Sequence, residues 1–218
     1  MSTSIAFIHT SHILIPMFSK LAREILPGFE SFHMTDESLI RNTIRSGHLT
    51  PATRRRLISM VGSAHEGGAD AVMVTCSSIG EGAAMARDLF DFPVFRIDEA
   101  MARKAVQSGR RIGVAATLRT TLEPTMRLIE QTAATAGREV EVVPSLCDGA
   151  FEAVIGGDVA RHDSMLIESL HRLRAEVDVV VLAQASMVRV IDLMQLSGGP
   201  PMLSSPELAL RQMRDVLV

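Results

Sequence analysis

Two stretches that read alike decide the fold: "DAVMVTCSSI", Asp70 to Ile79, and "DVVVLAQASM", Asp178 to Met187. In each, an aspartate opens a run of four apolar residues, and small or polar residues follow. The two copies are offset by 108 residues. The runs "AVMV" and "VVVL" are continuously apolar, the pattern of a parallel strand covered by helices on both faces. Working outward, "PVFRIDEAMARKAV" from Pro93 matches "PMLSSPELALRQMR" from Pro201, again 108 residues away. Upstream, "IAFIHTSHILIPMFSKL" from Ile5 lies against "IGVAATLRTTLEPTMRL" from Ile112. Pro16 and Pro124 are 108 apart and Thr10 and Thr117 are 107 apart, a slip that one loop residue produces. Three matches in one order indicate a duplication.

Each copy alternates strand-like and helix-like segments. Strands are expected at 5–8, 29–33, 71–75 and 94–97, and again at 112–115, 140–143, 179–182 and 202–203. Between them, "DESLIRNTI" and "TRRRLISMVGSAHEGG" carry apolar residues at helical spacing, and Thr50-Pro51 has the form of an N-cap followed by a first-turn proline. The expectation is an α/β protein of two similar parallel-sheet lobes related by pseudo-twofold symmetry, with a cleft between them. By repeat logic the first lobe is 1–108 and the second 109–218, the C-terminal helix being free to pack back on the first.

Composition narrows the function. With 218 residues, 47 % apolar and 22 % charged, the chain belongs with soluble globular proteins. No run approaches the roughly 18 apolar residues of a membrane span. The N-terminus lacks the basic start of a signal peptide, so a cytoplasmic location is expected, with Cys76 and Cys147 reduced. A net charge of −3 and the lack of tryptophan and tyrosine argue against nucleic acid. No CxxC or HExxH spacing points to a metal. The thirteen methionines read as packing. A homo-oligomer is the default for a soluble enzyme.

Ligands of open α/β sheets bind beyond the carboxyl ends of the strands. Those turns hold His9-Thr10-Ser11 and Thr75-Cys76-Ser77-Ser78 in the first copy. In the second they hold Thr117 through Thr120 and Gln184-Ala185-Ser186. Hydroxyls and helix-start amides dominate, and they suit a small carboxylate. Cys76 stands where a strand stops and a helix begins, so the macrodipole is expected to lower its pKa from about 8.5. The competing reading is a small buried hydrophobe. His9 has the chemistry of a partner acid or base. Asp98 and Glu99 suit a first helical turn, Arg54 to Arg56 a solvated face, and His162 with Asp163 a capping or surface pair.

"VMVTCSS", "VVVLAQAS", "IAFIHTS" and "IGVAATLRTT" together resemble the aspartate/glutamate/hydantoin racemase superfamily over nearly the whole chain. The resemblance implies two α/β lobes, no cofactor, and commonly one cysteine per lobe, the thiols acting on opposite faces of a substrate Cα. It implies that Cys76 is the first thiol, with Thr10, Ser77, Ser78, Thr117 and Thr120 near the substrate carboxylate. This chain departs from the pattern at Gln184, which fills the second thiol position with an amide that is no base near neutral pH. It departs again at His9, where amino-acid racemases of this group often carry an acidic residue. Three activities are therefore expected. The first is proton transfer at carbon on an amino acid, hydantoin or related acid, with Cys76 as acid/base or nucleophile. The second is a single-thiol decarboxylase or lyase, and the third a protein that binds a small carboxylate without turnover.

Overall fold

The computed structural model describes residues 3–194 and 198–218. In chain order the regular elements are β1 (Ser4–His9), α1 (Ile15–Ile25), β2 (Glu30–Thr35), α2 (Glu37–Ser46), α3 (Pro51–Glu66), β3 (Ala71–Val74), α4 (Gly80–Ala86) and β4 (Val94–Arg96). They continue as α5 (Glu99–Ser108), β5 (Arg111–Ala116), α6 (Arg119–Thr135), β6 (Glu141–Leu146), α7 (Ala150–Ile155), α8 (Val159–Arg174), β7 (Val179–Leu182), α9 (Val188–Met194), β8 (Met202–Ser204) and α10 (Ser205–Leu217). The strands form two four-stranded sheets in the orders β2-β1-β3-β4 and β6-β5-β7-β8. Every pairing is parallel, and the registers repeat: Ile8 faces Val74 in one sheet as Ala115 faces Leu182 in the other.

The apolar runs are buried for the reason their pattern suggested. Side chains alternate across a strand. Ala6, Ile8, Val72 and Val74 accordingly pack with Leu39, Leu57, Val61 and Ala83 from α2, α3 and α4. Ile5, Phe7, Ala71 and Met73 pack on the other face with Phe18 and Ile25 of α1 and with Ala209, Leu210 and Met213 of α10. In the second sheet Ala115, Val180 and Leu182 pack against Leu166, Leu170 and Leu173 of α8 and Val190 of α9. The aspartates that open both copies of the repeat have a local task. Asp70 accepts the Ser4 N–H at 2.8 Å, and Asp178 accepts the N–H groups of Arg110 and Arg111 at 2.8 Å each. Each clamps the start of the third strand to the start of the first. Thr50 caps α3 through the Thr53 N–H at 3.2 Å, with Pro51 at the first position.

Packing divides the chain differently from the repeat. One compact unit comprises residues 1–98 and 206–218, the other residues 99–205. Helix α5 follows the last strand of the first sheet but packs on α6 and β7. Helix α10 follows the last strand of the second sheet and packs on the first. Both helices are amphipathic, and an apolar stripe does not specify which sheet it covers. Leu210 is fully buried in the first unit. Leu210→Ala is therefore expected to lower stability by roughly 2–5 kcal/mol, as measured by urea unfolding at neutral pH.

Candidate active site

Two residues beyond the Ile8–Val74 pair stand Thr10, just past β1, and Cys76, just past β3. Cys76 has extended backbone (φ −131°, ψ 117°) and is followed by a 3-10 turn, Ser77–Ile79, before α4 begins. Its side chain is half-buried, while Thr10, Thr75, Ser77 and Ser78 around it are buried. The Thr10 hydroxyl and the neighbouring Ser78 and Ile79 groups favour the thiolate form of Cys76, and the Ile79 N–H donates to the Cys76 carbonyl at 3.3 Å. Burial nevertheless pushes the Cys76 thiol up, outweighing those donors. The expected lowering by a helix dipole does not occur, because the cysteine leads into a three-residue 3-10 turn and a seven-residue helix in an apolar setting. Cys76 is thus a protonated thiol at rest whose thiolate, once formed, is met by hydrogen bonds.

The second unit repeats the turn with different chemistry. Gln184 has nearly the same backbone as Cys76 (φ −129°, ψ 135°) and also precedes a 3-10 turn, Ala185–Met187. Its Oε1 accepts the Thr117 N–H at 2.6 Å and the Thr117 hydroxyl at 3.0 Å. A backbone N–H only donates, so the amide's orientation is settled: oxygen toward Thr117, and the NH2 group, with two donors, pointing away from it. Thr10 and Thr117, matched in the repeat, hold the residue two places past the third strand in each unit. Thr120 lies in the first turn of α6 with its Oγ1 buried and without a partner. Ser11 and Ser186 are half-buried in their turns. Ser11 makes no side-chain cap to the 3-10 turn that follows it.

His9 takes a place that its sequence position did not reveal. It is fully buried, with Nδ1 2.8 Å from Thr75 Oγ1 and Nε2 2.8 Å from His33 Nδ1. The Thr75 hydroxyl donates to the Ile8 carbonyl at 3.0 Å, so toward His9 it accepts, and His9 Nδ1 carries the proton. His33 Nδ1–H then donates to His9 Nε2, and the Ser19 hydroxyl donates to His33 Nε2 at 2.8 Å. The chain of bonds ends on a backbone carbonyl. Both His9 nitrogens are committed, so the ring in this state bridges β1 and β3 rather than offering a free base. Ser19 and His33 went unnoticed in the sequence because their partners lie 14 and 24 residues away.

Other residues singled out in the sequence fall outside this arrangement. His162, expected in a capping or surface pair, is buried on α8 and bonded to Asp163 at 2.8 Å. Asp163 is also held by Arg189 of α9. Asp158, not His162, caps that helix, through the Arg161 N–H at 3.0 Å. Cys147 is buried at the end of β6, and burial raises its pKa too. Among the described residues no group of three His, Cys, Asp or Glu is placed to hold a metal ion, and no helix is long and apolar enough to cross a membrane.

The profile of one family, Asp/Glu/Hydantoin racemase, matches residues 8–213. The chain belongs to that family. Membership makes it an enzyme of the racemase and isomerase class. Solved structures share its fold at low identity. Glutamate racemase from Francisella tularensis, in complex with D-glutamate, superposes with a TM-score of 0.76 at 15 % identity, over 99 % of this chain and 81 % of that one. Allantoin racemase from Klebsiella pneumoniae gives 0.71 at 17 %, over 99 % and 88 %. Aspartate racemase from Picrophilus torridus gives 0.72 at 12 %, over 98 % and 94 %. Against individual curated proteins no sequence match is found.

The buried imidazole makes a prediction about this member of the racemase family. An unfolded His9 titrates near 6.5, whereas in the fold burial, with the neighbouring His33, holds it down to about 4. Between those values the unfolded chain binds the proton and the folded chain does not. The contribution of His9 is therefore complete above about pH 6.5 and is lost as pH falls through 4, a difference on the order of 3 kcal/mol. Urea unfolding at pH 7 and pH 4.5 is expected to show a steeper loss in the wild type than in His9→Gln, which lacks the titrating ring.

Proposed function

We propose that this chain catalyses proton transfer at carbon on a small carboxylate or hydantoin-like acid, with Cys76 delivering the proton. The observation that carries the reading is the environment of the sulfur: a thiol kept protonated by burial, with Thr10, Ser78 and Ile79 directed at the charge it acquires on reaction. As the C–H bond forms, the S–H bond breaks, and the electron pair left on sulfur is stabilised by donors already in place. The reverse transfer, from a substrate Cα–H to the thiolate, regenerates the thiol. Glutamate, aspartate and allantoin, named for structures of the same fold, all carry such a hydrogen beside a carbonyl. Thr10, Ser77 and Ser78 supply donors suited to substrate oxygens in the first unit, and the second unit has donors of the same kind in Thr117, Thr120, Ser186 and the Gln184 NH2 group. In this reading Ser11 shapes the turn after β1, and His9 positions Thr10 and Cys76 through Thr75.

Gln184 favours a second reading within the same chemistry. An amide takes no proton from carbon near neutral pH, so one thiol serves one face of the substrate. Loss of CO2 from a disubstituted malonic acid would leave the electron pair of the broken C–C bond as the enolate of the remaining carboxyl without a base, and Cys76 would only have to protonate it.

Incubation with a panel of amino, hydroxy and malonic acids in deuterated water, followed by NMR and chiral chromatography, separates these readings. Stereospecific Cα deuteration without CO2 release supports the first, and deuterated product with CO2 release the second. Thermal stabilisation by an acid with neither outcome would mark a binding protein. Cys76→Ala is expected to slow exchange about 10²–10⁴-fold, while Cys147→Ala leaves it within twofold. Thr10→Val, which removes one donor to the thiolate, is expected to slow it about tenfold.

A further inference from the structure

Asp98 drew notice in the sequence as an acidic residue at a helix start, and the structure gives it another partner. Arg96 ends β4, and its Nε and Nη2 donate to the two Asp98 carboxylate oxygens at 3.0 Å each. Asp98 is fully buried and Arg96 nearly so. Two charges withdrawn from water carry a desolvation penalty that an apolar pair of similar size would avoid, so such a pair is weak evidence of stability. Its surroundings suggest what it does. Val74 pairs with Arg96 across β3 and β4, which sets the guanidinium beside the end of β3 where Cys76 follows. At Gly80 a β-carbon would stand 2.8 Å from both Nε and Nη2 of Arg96. The guanidinium therefore fills the space that a side chain would take at the residue directly after Ile79, where the 3-10 turn passes into α4.

The duplication supplies an internal comparison. At the same offset of 108 residues, Gly80 corresponds to Val188, Arg96 to Ser204 and Asp98 to Pro206. Where the thiol is replaced by Gln184, the ion pair and the glycine that accommodates it are both replaced as well. Two copies with matching strands, registers and turn geometry thus differ together at the reactive residue and at the groups that lie against its turn.

We propose that the buried Arg96–Asp98 pair, seated against Gly80, is a positioning element that holds the Ser77–Ile79 turn, closed by the Ile79 N–H on the Cys76 carbonyl, against the Cys76 sulfur. Amide donors stabilise a thiolate only when they are fixed at hydrogen-bonding distance before the charge appears. Arg96 acts through the turn and does not itself touch substrate. The assignment rests on the reading of Cys76 as the proton carrier, but its test does not require a substrate.

The experiment uses the full chain carrying Cys147→Ala, so that Cys76 is the one thiol, and follows its alkylation by iodoacetamide across pH. The double variant R96S/D98N removes both charges and leaves no lone ion. Its pH profile is expected to move upward, leaving about tenfold less thiolate at a given pH. Arg96→Lys, which keeps the charge but not the two-pronged fit, is expected to fall between. Should the double variant fail to fold, Gly80→Ala decides, since it keeps both charges and its β-carbon meets the guanidinium first. Where exchange activity is present, these variants lower kcat with KM changed less than twofold. A folded R96S/D98N or Gly80→Ala chain with the unaltered thiol profile would overturn the proposal. Absence of exchange in the wild type would instead overturn the proposed function, with the alkylation profiles still deciding the role of Arg96.

Discussion

The parallel pairing of β1 with β3, in the register that sets Ile8 against Val74, is the constraint on which the site depends. Two residues past that pair, just beyond the strand ends, stand Thr10 and Cys76, and the threonine hydroxyl favours the thiolate of the cysteine. The second sheet repeats the construction. Ala115 faces Leu182, and two residues further Thr117 reaches Gln184. A register shift by one residue would turn every side chain on the strand to the other face and separate both pairs. The burial of AVMV and VVVL between two helical layers therefore secures more than stability. It specifies the register, and the register specifies which residues meet at the strand ends.

The chain writes this architecture openly because it writes it twice. Aspartate, four apolar residues and a polar turn recur at one offset, and the aspartates recur because each ties the same two strand starts together. Helix α5 is harder to place by the same reading. Repeat logic assigns it to the first copy and leaves α10 free to pack back on that copy, whereas packing groups α5 with the second compact unit and α10 with the first. Their amphipathic patterns are satisfied by either sheet, so the choice lies in tertiary contacts that no local pattern encodes.

Within the site, residue type was legible and environment was not. A cysteine at a strand end suggested a thiolate lowered by a helix dipole, yet the balance is struck by burial, which depends on packing from elements distant in sequence. His9 suggested an acid or base because imidazole titrates near neutrality. Thr75 and His33, 66 and 24 residues away, take up both of its nitrogens. In each case the residue type is visible in the sequence, while its environment depends on partners that the sequence does not place beside it.

Those partners also explain why the two copies have diverged so unevenly. The strands and their registers are shared, but the polar residues against the Cys76 turn are not. His9 and Thr75 correspond to Ala116 and Ala183, and Arg96 and Asp98 to Ser204 and Pro206. A neutral amide whose oxygen is already held by Thr117 needs no further support to keep its orientation. A thiolate in a half-buried turn would need such support, because donors too mobile to meet it would leave the charge unsolvated where water is scarce. The buried polar residues are thus concentrated around the turn that carries an ionisable side chain, and apolar or small residues stand at the matching positions around the turn that carries a neutral amide.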